Sequence, residues 1–196
     1  MHPRIESKTL AFAATMAALG NALSFLSIQL TPLAPNIPLG PVTVSLALDL
    51  SHLSTFIASL FGGPVVGGLT GLLSGLVAAF EFGFSKGNVV TGVGLPLGKA
   101  MTGVAAGYVF RRLYVEGSPL RLVASTVVAY VPEALLTLAL FRYVLPVVAG
   151  LPAGLATAIA VQIVVKAFFE MILLGLILVG LTRNVGFSDY TRGYFA

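Results

Sequence analysis

Long apolar runs with few interruptions make up most of this chain. Thr9 to Leu30 carries no charged residue over 22 positions, enough helix to cross a hydrocarbon core of about 30 Å. Val42 to Phe84 reads as two more runs of spanning length, folded back on each other at Gly62-Gly63-Pro64. Three further runs follow, and the pattern predicts an all-α integral membrane protein of six transmembrane helices in a single domain over residues 1–196. Their approximate bounds are 9–30, 42–61, 65–84, 95–113, 120–149 and 155–181. A cleaved signal peptide competes for the first run, but the run continues past the usual apolar length of roughly 7–15 residues.

The connections carry their own signals. Proline at positions 32, 35, 38 and 41 has the three-residue period of a polyproline II helix, stiff and without internal hydrogen bonds. It is read as a rigid spacer or as an outer loop covering a site. Ser85 to Gly94 is a polar, glycine-rich loop holding Lys86 and Asn88, Gly150 to Gly154 is a tight turn, and a polar tail with Arg183 and Arg192 ends the sequence. Pro132 is expected to kink the fifth helix and free a carbonyl.

Small residues recur at helical spacing. Gly67, Gly71 and Gly75, extended by Ala79 and Gly83, form one ridge, and Gly94, Gly98, Thr102 and Ala106 form another. Such ridges let helix backbones approach closely in lipid.

Composition agrees with the pattern. Mean hydropathy is +1.00, and 9% of residues are charged, against roughly 25% in soluble domains. The net charge of +4 matters through its placement. Arg4, Lys8, Arg111, Arg112, Arg121, Arg183 and Arg192 fall on one side of a six-helix arrangement, and Lys86 and Arg142 on the other. The positive-inside rule then puts both termini in the cytoplasm. The chain has no cysteine, hence no disulfide framework. No nucleophile–histidine–acid relay, no nucleotide-binding glycine loop and no H-E-x-x-H is present, so no catalytic residue is assigned. Basic residues are not interleaved with aromatics, which excludes nucleic acid.

Ionisable groups at membrane depth mark function or mutual pairing. Asp49 and His52 are three apart and are expected on one helix face. Counting back from the turn near residue 151 brings Glu133 level with Lys166 and Glu170, predicting a buried cluster of the three. Gln162 and Arg142 lie nearer the outer end of the same pair, Asp49 and Glu81 in the outer half, and Lys99 at least a turn inside helix four. Charges thus run from the outer surface to the midplane, which favours a cavity open to the outside. The competing reading is structural: a Lys166–Glu170 ion pair joining helices, and Asp49 and His52 used for capping or interhelical hydrogen bonds. With His2 far from His52, no metal site is expected.

At this point the residues resemble a known family. Six helices with cytoplasmic termini look like the substrate-binding S component of an energy-coupling factor (ECF) vitamin transporter. Leu48-Asp49-Leu50-Ser51-His52-Leu53 followed by Gly62-Gly63-Pro64-Val65-Val66-Gly67 is similar to the family's helix 2–3 hairpin. Ala14, Ala18 and Ala22 look like its small-xxx-small motif in helix 1, and Gln162 with Lys166-Ala167 resembles a polar residue and lysine in helix 6. The resemblance implies a subunit that binds a water-soluble vitamin and docks through Ala14, Ala18 and Ala22 on a transmembrane coupling subunit. Two cytoplasmic ATPases would hydrolyse ATP, so this chain would need no cofactor and be no enzyme. The implied ligand contacts are Asp49, Glu81, Asn88, Lys99, Tyr130, Glu133, Arg142, Gln162, Lys166 and Glu170. A riboflavin-like or other heteroaromatic vitamin is favoured, with Phe80, Phe82, Phe84 and Tyr130 as walls. Lys99, Arg142 and Lys166 suit a carboxylate instead, as biotin or pantothenate would need. A self-contained channel or secondary transporter is the alternative reading, and an intramembrane enzyme using Glu133, Lys166 and Glu170 a third.

Overall fold

A computed structural model describes residues 7–33, 36–39, 42–45, 48–114 and 117–195. Helix α1 spans Ser7–Leu30 and runs into a 3₁₀ turn at Thr31–Leu33. Strands β1 (Asn36–Leu39) and β2 (Val42–Ser45) pair antiparallel. Helices α2 (His52–Ser74) and α3 (Leu76–Phe82) follow, then a 3₁₀ turn at Phe84–Lys86 and α4 (Val89–Leu113). Helix α5 (Pro119–Ala139) continues through a π turn at Leu140–Val144 into α6 (Leu145–Val148). Helices α7 (Ala153–Arg183) and α8 (Val185–Phe195) complete the described chain.

Among the described residues, five stretches are long and apolar enough to cross a membrane: Ser7–Leu30, His52–Lys86, Val89–Leu113, Pro119–Val148 and Ala153–Arg183. The second is a hairpin. Gly63 leaves helical geometry (φ 80°, ψ −169°), a region that favours glycine. Beyond it, Ser74 Oγ comes within 3.4 Å of Thr55 Oγ1, although 19 uninterrupted helical residues would separate them by about 28 Å. The expected reversal at Gly62-Gly63-Pro64 is therefore present.

Several expected boundaries move. The second helix begins at His52, not Val42. Val42–Ser45 is a strand instead, and Pro38 lies in the strand paired with it, so the polyproline reading does not hold for 36–39. Arm 52–62 rises only about 16 Å, half the depth expected. The loop expected over Ser85–Gly94 is shorter, because α4 starts at Val89 with the Asn88 side chain accepting from the Thr91 N–H at 3.0 Å. That bond satisfies one of the donors a helix start leaves free. The expected polar tail is helix α8.

The glycine ridges zip helices together inside this chain. A Cβ at Gly67 would lie 2.6 Å from the Gly103 carbonyl oxygen, and one at Gly75 would lie 2.7 Å from Pro96 Cα. Gly71 meets the Lys99 backbone, Gly83 meets Gly92, and Gly107 meets Pro64. This antiparallel seam joins the second arm of the hairpin and α3 to α4. The second ridge faces α5: a Cβ at Gly98 would lie 2.9 Å from Glu133 Cγ.

The N-terminal helix and α8 meet at one end of the bundle. The Tyr194 hydroxyl donates to the Lys8 carbonyl at 3.0 Å, and the Phe12 and Tyr194 rings lie 5.4 Å apart. Phe61, beside the Gly63 reversal, packs on Phe187 of α8 at 5.9 Å, and the Arg111 guanidinium lies against Gly63. Lys8, Arg111, Arg112 and Arg183 thus share that end. The half of the bundle nearest it is filled by Phe56, Phe110, Leu122, Met171, Leu174 and Leu178, all buried.

Candidate functional site

Above that apolar half, a cavity of about 500 Å³ runs from mid-depth to the opposite end, where Thr31, Asn88 and Phe141 border it. The size suits a small organic ligand. His52, Tyr130 and Phe168 separate it from the core below, with Tyr130 edge-on to His52 at 6.1 Å and to Phe168 at 5.4 Å.

Asp49 is not on a helix face, because it precedes α2 by two non-helical positions beyond the Ser51 N-cap. It ties that loop to two helices. Its N–H donates to Glu170 Oε1 of α7 at 2.9 Å, and its Oδ2 accepts from Lys99 Nζ of α4 at 3.3 Å. Oδ1 accepts the Ser51 N–H at 3.0 Å, a local turn that asparagine and aspartate favour. Burial works against the charged form of Asp49, but Lys99, His52 and the Ser51 hydrogen bonds outweigh it and hold the carboxyl below the usual carboxylate range. The Lys99 ammonium also bonds Ser51 Oγ, and its side chain is 2% exposed. Leu50 N–H donates to Ser27 Oγ at 3.3 Å, which adds α1 to the same knot.

A second group sits deeper. His52 Nε2 lies 3.0 Å from Glu133 Oε2, and Thr102 Oγ1 donates to the same oxygen at 2.5 Å. With Glu133 ionised, its carboxylate only accepts and Nε2 carries the hydrogen in this bond. His52 Nδ1 is buried with no hydrogen-bond partner among the described residues. Gly98 gives Glu133 the room to lie against α4.

The third group is Lys166 with Glu170, Nζ to Oε1 at 3.4 Å, four residues apart on α7. The Lys166 side chain is 28% exposed. Lys99 is committed and enclosed, whereas Lys166 keeps donors facing the cavity.

Of the ten residues expected to contact a ligand, Asp49, Asn88, Lys99, Tyr130, Glu133, Lys166 and Glu170 border this cavity. Glu81 borders a different groove. Arg142 is exposed beside the Tyr143 ring, 5.7 Å from its centroid, and neither it nor Gln162 borders the cavity. The expected three-residue cluster is split, because Glu133 turns to His52 and Thr102 and leaves Lys166 to Glu170. Ser24, Ser27, Thr31, Thr91 and Thr137 also border the cavity and were not expected. The first three lie at i, i+3 and i+7 in an apolar run, a polar stripe that could have been found.

No protein-family model matches the chain, and no curated protein matches it. Solved structures do. An S component of a bacterial ECF transporter superposes with a TM-score of 0.59 at 20% identity, covering 91% of this chain and 95% of that one. The S component for biotin from an ECF-type ABC transporter gives 0.53 at 19%, covering 98% and 100%. The chain therefore has the fold of the S components of ECF transporters.

Proposed function

We propose that this protein is the membrane-embedded binding subunit of an ECF-type importer and captures a small water-soluble vitamin. One observation carries the reading: the S-component fold holds a cavity confined to one half of the bundle and lined by Lys166, Glu170 and Glu133. The termini then lie in the cytoplasm, where basic residues collect, and the cavity opens outward. The apolar packing of the other half argues against a continuous pore, and so against a channel.

Glu133 Oε1 and Glu170 Oε2 are the carboxylate oxygens left for a ligand, and Lys166 is the cation left for one. The substrate therefore presents N–H or O–H donors together with an acceptor or carboxylate. A flavin is one of several vitamins that qualify. Two of its expected walls, Phe80 and Phe84, do not border the cavity, while Phe82, Tyr130 and Phe141 do. Biotin, the ligand of one structural neighbour, also qualifies.

Mass spectrometry of small molecules retained by the detergent-purified chain is the first test, and one vitamin per chain is the expected result. Lys166→Ala should weaken binding of that vitamin by about 10- to 100-fold, the loss of one charge-assisted hydrogen bond, with elution and helicity unchanged. Folded protein without ligand, or unaltered affinity in Lys166→Ala, would return Lys166 to a structural role.

Docking on a coupling subunit uses Ala14, Ala18 and Ala22. All three are exposed on α1, while Ala13, Ala17, Gly20 and Ser24 of the same helix face inward. Ala18→Trp should leave vitamin binding intact and abolish co-purification with a transmembrane coupling subunit and its two ATPases. Retained co-purification would move the interface elsewhere.

A further inference from the structure

A second groove, of about 580 Å³, lies between α1 and α3. Asn21 forms its floor. The Asn21 amide donates to the Leu73 carbonyl at 2.9 Å and accepts from the Val77 N–H at 3.1 Å, clasping α1 to the break between α2 and α3. Toward the cavity end, Phe25, Ile28 and Gln29 of α1 face Leu76, Phe80 and Glu81 of α3 across the groove. Phe25, Leu76 and Phe80 are 58%, 53% and 65% exposed, on a bundle flank at membrane depth. Such side chains meet acyl chains.

Glu81 stands out in this setting. Its carboxylate has no cation or donor among the described residues. Lys86, five positions on, lies over the Phe82 ring at 5.4 Å instead. A carboxylate at the edge of the hydrocarbon layer is stabilised by a cation beside it. Glu81 and Gln29 each sit one residue from the end of their helix, the height at which lipid headgroups lie. The groove is thus apolar along its length, with one anion and one amide at its mouth.

We propose that this groove binds one membrane lipid with an ammonium headgroup. The ammonium pairs with Glu81, the Gln29 amide donates to the phosphate, and an acyl chain lies along Phe25, Leu76 and Phe80. A lipid whose only headgroup charge is negative offers Glu81 no cation. Ile28 borders both this groove and the central cavity, so the lipid lies directly behind the cavity wall. The proposal is independent of the vitamin reading, but Phe25 and Gln29 continue the exposed α1 face of Ala18 and Ala22, so lipid and coupling subunit would take turns on that face.

The test reconstitutes the full chain in nanodiscs of equimolar phosphatidylethanolamine and phosphatidylglycerol, then counts retained lipids by native mass spectrometry. The wild type should retain one phosphatidylethanolamine with at least five-fold preference, Glu81→Gln should bring the two lipids to parity, and Phe25→Trp, which fills the groove without changing charge, should lower retention of both. Parity in the wild type, or a preference unchanged in Glu81→Gln, would overturn the site. A wild-type dimer lost in Phe25→Trp would overturn it in favour of a second copy of the chain.

Discussion

Gly71→Val is expected to prevent accumulation of folded, monodisperse protein. A Cβ there would lie 2.6 Å from the Lys99 carbonyl carbon and 3.0 Å from the Ala100 nitrogen. Both are backbone atoms of α4, so no rotamer change relieves the overlap. Overpacking against side chains costs about 1–3 kcal/mol, and a helix backbone that must move as a unit costs more. The move would also carry Lys99 away from Asp49 and Ser51, so the seam and the site fail together. Gly180→Val is the control, because nothing lies within 4 Å of the position its Cβ would take. The check is fluorescence-detected size-exclusion of both variants from the same membranes. A monodisperse Gly71→Val peak at wild-type height would refute the close seam between the hairpin and α4.

The second large effect is expected at Lys99. Replacing it with methionine keeps most of the side chain's volume and removes the ammonium from a site where it is 2% exposed. Breaking a buried ion pair typically costs about 3–5 kcal/mol, because the partner charge is left uncompensated. Asp49 is 33% exposed on its side chain and can recruit water, so the lower end applies, about 3 kcal/mol. The loop ahead of α2 then loses its tie to α4, and thermal stability in detergent falls. Combining Lys99→Met with Asp49→Asn should recover most of the lost stability. Purely additive losses in the double variant would show that the pair is not coupled.

The fold was legible in the sequence where one physical signal dominated. Long apolar runs place α1, α7 and the start of α5 within a few residues, and α4 apart from its first six positions, and Gly-Gly-Pro marks the reversal because only glycine takes φ 80° without strain. The ridge at 67, 71 and 75 was read correctly as a close-packing face, although its partner is α4 of the same chain. The start of α2 was not legible. Val42-Thr43-Val44-Ser45 is as apolar as a helix, and hydropathy alone does not separate a β-branched strand from a buried helix end. The strongest hint was the prolines around it, which suit a strand edge or turn.

The site was half legible for a related reason. Counting along a hairpin gives depth but not the direction a side chain points around the helix axis. The count sets Glu133 level with Lys166, whereas its carboxylate turns to His52 of α2 and Thr102 of α4. Arg142 and Gln162 fell out of the cavity for the same reason. Lys99 was set too near the surface because α4 begins six residues earlier than Leu95.

The glycine seam runs through both halves of the bundle, but what else holds each half differs, and that difference sets how they fluctuate. Around Phe56, Phe110 and Leu174, backbone amides open only when the glycine seam and the apolar core separate together. Near Asp49 and Lys166, a few directional bonds hold the loop ahead of α2, and each can break singly. Hydrogen exchange should therefore divide the protein into a slow block at the end shared by α1 and α8 and a fast block around the cavity mouth. A ligand would then enter and leave through small local openings while the slow block stays closed.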